Sequence, residues 1–89
     1  MAREADQIAQ DHAAMLGSVS VITSVIATHN KGSDATDEDF GHDMTHDEKK
    51  ARVARSNGYL VHMKALDDWG SESFTEIDKA ITAANSFTA

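Results

Sequence analysis

Between Ala5 and His29, residues able to pack in a helical seam recur at alternating intervals of three and four: Ala5, Ile8, His12, Met15, Val19, Ile22, Ile26 and His29. This is a heptad register of the coiled-coil kind, with Ala5, His12, Val19 and Ile26 at a and Ile8, Met15, Ile22 and His29 at d. Ala9, Leu16 and Val25 widen the stripe beyond two positions, which suits a helix packed against two or more others. Val19, Val21, Ile22, Val25 and Ile26 are β-branched and favour strands. Alternation breaks at Val21–Ile22, however, whereas the heptad continues through it. The chain has no proline, the strongest helix breaker. The spacing predicts a long first helix near 3–29 in an all-α fold, a small bundle of about three helices.

After His29, the run Asn30, Lys31, Gly32 and Ser33 stops the helix, because asparagine and glycine accept left-handed backbone angles. An acidic loop over 30–44 follows, carrying Asp34, Asp37, Glu38, Asp39 and Asp43. Like charges this dense resist compaction. Phe40 inside it is read either as an anchor docked on the core or as a partly exposed aromatic. Thr45 with Glu48 forms a capping box that opens a second helix, read to Trp69 with Gly70 as the stop. Asn57–Gly58 is its weak point, since Val53 and Ala54 fall out of phase with Tyr59, Met63 and Leu66. A kink there, or a division into two short helices, is expected, with a hairpin turn as the alternative. Ser73 and Glu76 suggest a second capping box, and Phe74, Ile77, Ile81 and Ala84 one face of a third helix over 74–85. Phe87 is expected to fold back onto the bundle.

At 89 residues the chain makes a single domain, 1–89, whose one core is marginal in stability. There is no cysteine, so disulfides and thiolate metal sites are excluded. Fifteen acids against eight basic residues give a formal charge of −7, which opposes direct binding to nucleic-acid phosphates and to anionic membranes. Glu4, Asp6 and Asp11 are inconsistent with a positively charged secretory leader. The most apolar stretch, Ala13–Thr28, is shorter than the roughly 20 residues that span a bilayer and is interrupted by Gly17, Ser18, Ser20, Thr23 and Ser24. A soluble protein, cytoplasmic or virion-associated, is the expectation.

Candidate chemistry is sparse. His42 and His46, four apart among Asp43, Asp47 and Glu48, have the spacing of a helical metal pair. The helix is predicted to start only at Thr45, which removes that geometry. Asp37–Glu48 resembles an EF-hand calcium loop in its first, third and last positions. It has Gly41 at position five and His42 at position six, where the motif needs glycine. No metal or cofactor is expected. His12, polar at an a position, either fixes register near a symmetry axis or sits half in water at the frayed end of the seam. The basic run Lys49, Lys50, Arg52 and Arg55 is expected to pair with the acidic run before it, within the chain or between copies. Asp67–Asp68 beside Trp69 are consecutive and point about 100° apart on a helix, so they do not form a shared carboxylate site. With no nucleophile elbow and no phosphate-binding glycine loop, no catalytic residue is expected and the chain is not read as an enzyme.

What remains is association. A first helix this long outreaches the short third helix and the apolar part of the second, leaving part of its stripe for another chain. Ile8, Met15, Leu16, Val19, Ile22, Val25 and Ile26 are therefore the expected partner-binding residues, for a homo-oligomer or a larger protein assembly. In style, a short cysteine-free helical chain rich in alanine, serine and threonine resembles small phage and bacterial accessory proteins, such as virion structural components. The alternatives are an acidic inhibitor that occupies a basic nucleic-acid-binding surface, and a small single-span membrane-associated protein.

Overall fold

The computed structural model describes residues 3–89, whose regular elements are all helices. Helix α1 spans Ala5–Lys31, a short 3₁₀ turn Gly32–Asp34, helix α2 His46–Lys64 and helix α3 Thr75–Phe87. The three α-helices pack pairwise around one core of Met15, Ile22, Val25, Val53, Leu60, Trp69, Ile77, Ala80 and Ala84. At about 1.5 Å per residue, the 27 residues of α1 make it the spine of an elongated body measuring 48 × 25 × 18 Å.

Helix α1 begins and ends two residues later than the pattern places it. Its first turn carries no side-chain cap. Its end is set by Gly32, at φ 58, whose N–H bonds the carbonyl of His29. Glycine carries no Cβ to oppose that angle. The Thr45–Glu48 capping box forms in full: Thr45 Oγ1 accepts from the Glu48 N–H at 3.1 Å, and Glu48 Oε1 accepts from the Thr45 N–H at 2.9 Å.

Helix α2 departs from expectation twice. It runs as one helix through Asn57–Gly58, neither divided into two short helices nor turned into a hairpin. The phase is carried by Val53, Ser56 and Leu60, all buried, and the small polar Ser56 is the member that apolar counting skips. Asn57 donates from Nδ2 to Asn85 Oδ1 at 2.9 Å, tying α2 to α3. The helix then stops at Lys64 rather than Trp69. Continuing would place Asp67 and Asp68 at the negative end of the helix dipole. Instead Asp68 and Gly70 take positive φ, 69 and 65, and the chain turns back. Trp69 lands on the bundle 7% exposed, its Nε1 donating to the Met63 carbonyl at 3.1 Å.

Helix α3 starts and ends later than 74–85. The second capping box does not form, because Ser73 Oγ accepts from the Thr75 N–H two residues on, at 3.4 Å, and not from Glu76. Phe87 is the last residue of the helix itself. Ala80 and Ala84 on its buried face are small enough for close approach to the other helices.

Continuity of α2 makes a specific prediction. A Cβ at Gly58 would meet nothing within 4 Å, and the residue is helical. Gly58→Ala should therefore raise stability by about 0.5–1 kcal/mol, read as a higher denaturant midpoint at unchanged slope. A hairpin that required glycine at that position would give a loss.

Candidate interaction surfaces

The seven residues expected to bind a partner divide sharply. Met15, Ile22 and Val25 are 0% exposed, enclosed by the chain's own helices. Ile8, Val19 and Ile26 are half-buried against the same core. Leu16 alone stands out, 41% exposed. The length comparison with α3 and the apolar part of α2 leaves out the turn bearing Trp69, which joins the core. Helix α2, helix α3 and that turn together cover the stripe.

That turn also explains His12, which is neither frayed in solvent nor free to meet a symmetry mate. Its Nε2 lies 2.7 Å from the Ser73 carbonyl and its Nδ1 3.3 Å from Glu72 Oε2. The ring stands edge-on to Trp69 and Phe74, at 6.5 and 6.2 Å between centroids. Arg3 closes the cluster, its guanidinium 4.1 Å above the Trp69 ring while it bonds Asp11 and the Asp67 carbonyl. At the other end of the bundle His29 stacks on His46 at 4.6 Å, with Phe87 edge-on to both. His42 lies in the turns before α2, so it shares no helical face with His46. Among the described residues no group of three or more histidines and carboxylates is disposed to hold a metal ion.

The acidic loop is more ordered than its charge suggests. Lys31 Nζ bonds Asp39 Oδ1 at 2.6 Å, and the Thr36 N–H bonds Asp39 Oδ2 at 2.9 Å. The Lys31 bond first, then the Thr36 bond, holds the Asp39 carboxyl below its usual range. Phe40 is not docked on the core but 47% exposed. The expected pairing of this loop with Lys49, Lys50, Arg52 and Arg55 does not occur within the chain. None of those four makes an ion pair among the described residues.

The outward side of α1 carries a second heptad pattern that counting large apolar residues misses. Ala9, Ala13, Leu16, Ser20, Thr23 and Ala27 recur at intervals of four and three, and all are exposed. From His12 to Asn30 there is no Asp, Glu, Lys or Arg on either side of the helix. Surface helices ordinarily carry charge on the solvent side. Outward α2 repeats the theme with exposed Ala51, Ala54, Gly58, Val61 and Ala65. Val61 and Ala65 join Lys64 and Ile81 in lining an open groove of about 390 Å³ between α2 and α3. A second recess, about 300 Å³, lies at Arg3, Leu66, Asp67 and Asp68. The segment Ala5–Asp34 is long and apolar enough to cross a membrane by length and composition, with a mean hydropathy of 1.2 over its best window. A core helix of a soluble bundle satisfies the same test, although only 22% of this window is buried here.

No known protein family, curated protein or solved structure matches the chain.

The Asp39 geometry fixes the sign of one pH effect. A carboxyl whose folded pKa is depressed adds stability that is present above its unfolded pKa and lost as pH falls through the folded value. The thermal midpoint should therefore drop on acidification through and below the ordinary carboxylate range. Asp39→Asn should lower the midpoint at neutral pH and make the acid limb shallower. An identical acid limb in the variant would show that the Lys31–Thr36 bonds do not contribute.

Proposed function

We propose that the protein is a non-catalytic association module that pairs with a second copy of itself through the outward seam of α1. One observation carries this reading: a chain of net charge −7 presents an exposed face without a single charge from His12 to Asn30. Two copies of an acidic chain repel over most of their surface, and an uncharged face is where that repulsion is least. The seam residues are alanine, serine and threonine around a single Leu16, so two helix backbones can approach closely. A two-fold arrangement brings the same patch of each copy together and closes the assembly. The large residues of the inner stripe support the partner surface from behind by holding α1 rigid, and Leu16 is the one of the seven that reaches it.

Non-catalytic action is favoured by the nature of the recesses. Both are open to solvent, and neither gathers a nucleophile with a base. Membrane insertion would require α1 to leave Trp69, Leu60 and Ile77, exposing the core it completes.

Ser20 sits mid-seam and is exposed, and glutamate is a better helix former than serine. Ser20→Glu should leave folding intact while weakening self-association at least tenfold. Gln10→Glu adds the same charge to α1 outside the seam and should leave association unchanged. Sedimentation velocity over a concentration series reads both. Equal weakening by the two variants would reduce the effect to net charge and remove the seam.

A further inference from the structure

The turn between α2 and α3, residues 65–74, has few hydrogen bonds of its own. The Leu66 N–H bonds the Met63 carbonyl and the Glu72 N–H bonds the Trp69 carbonyl. Asp68 stands at φ 69, in the left-handed region that a residue with a side chain enters at a cost. Among the described residues, two side chains from the N-terminal part of the chain fasten this turn by hydrogen bonds. Arg3 donates to the Asp67 carbonyl and His12 Nε2 to the Ser73 carbonyl, each at 2.7 Å. Of the two, His12 alone can change its charge near neutral pH.

The His12 ring has an acceptor at each nitrogen. A carbonyl oxygen can only accept, so Nε2 must carry a proton toward Ser73. Nδ1 lies 3.3 Å from Glu72 Oε2, and an ionised carboxylate also only accepts. Imidazolium, with two donors, satisfies both contacts. The neutral ring satisfies one: the Ser73 bond takes its single N–H and leaves the Nδ1 lone pair beside a negative charge. The other charges of the cluster do not relieve this. Arg3 is bonded to Asp11 and overlies Trp69, while Asp67 and Asp68 line the recess beside Arg3. Lys64 of α2 is paired with Asp78 of α3. Glu72 is thus the charge that faces the ring.

We propose that His12, Glu72 and the Ser73 carbonyl form a proton-operated latch, which holds the Trp69 turn against α1 while the ring is charged and loosens it when Nδ1 gives its proton to water. A contact made by the charged ring is present at the acid end and lost as pH rises through the interval in which histidine changes charge. The Asp39 contact has the opposite sign and acts in the more acidic carboxylate range. Loosening uncovers Trp69 and Phe74, the two rings packed edge-on about His12, and with them part of the inner stripe of α1. The latch works on the inner side of α1 and stands or falls independently of pairing through its outer seam.

Trp69 is the single tryptophan, so its emission wavelength and its quenching by acrylamide read the turn directly. From about pH 5 to about pH 8, the interval over which histidine titrates, both should rise in the wild-type protein, in step with the ring ¹⁵N shifts of His12. Glu72→Gln supplies an amide that can donate to the neutral Nδ1, so this variant should keep Trp69 enclosed at the alkaline end, where the wild type loosens. A merely structural ion pair would give the reverse, a looser turn in the variant. His12→Gln has no titrating ring and should abolish the transition. His46→Gln, in the stacked pair at the other end of the bundle, should leave it in place. An unchanged Trp69 signal in the wild type across the interval overturns the latch. So does the same transition in His12→Gln, its loss in His46→Gln, or a Trp69 more accessible in Glu72→Gln than in the wild type at the alkaline end.

Discussion

The inner stripe of α1 sets the problem that the rest of this fold solves. A helix of 27 residues with apolar side chains along its length must be covered, because about 25 cal/mol is at stake for each Å² of apolar surface left in water. Neither partner helix is long enough by itself. Helix α2 has 19 residues and α3 has 13. The chain meets the shortfall by ending α2 early and turning Trp69 onto the bundle. There the indole is bonded to Met63, stands edge-on to His12 and Phe74, and is overlaid by Arg3. The turn is thus a structural element in its own right, and His12 is its anchor on α1.

The same coverage separates the two sides of α1. Its inner stripe is spent on the chain's own core, with Met15, Ile22 and Val25 wholly enclosed. Its outer side is left with small uncharged residues in a second heptad pattern. This acidic chain keeps charge off one exposed helix face and gathers most of its cations on another helix, α2.

Much of this architecture was legible in the residues. The heptad from Ala5 to His29 identifies α1, and Thr45 with Glu48 marks the start of α2 to the residue. The misreadings have physical causes. At Asn57–Gly58 the buried position is Ser56, and a polar residue in the core stripe is invisible to a count of apolar ones. At Asp67–Trp69 the apolar pattern runs on while two acids at a helix C-terminus and a positive-φ turn end the helix. At Ser73 the capping spacing is present, but the hydroxyl bonds one residue earlier, so pattern and geometry diverge. For the interaction surface, large apolar residues pointed to the inner stripe. The small residues outside it, Ala9, Ala13, Ser20 and Ala27, carry little hydropathy signal and are found only once the helix has a defined outside.

Self-association is tested most directly by sedimentation equilibrium of the unaltered protein, at neutral pH and moderate salt, across micromolar to millimolar concentration with and without detergent. Pairing of copies through the outward seam of α1 gives a mass that rises with concentration to a defined small multiple of the 9.6 kDa chain, the same in both buffers. A folded monomer throughout the range, or a defined mass only when detergent is present, would contradict it.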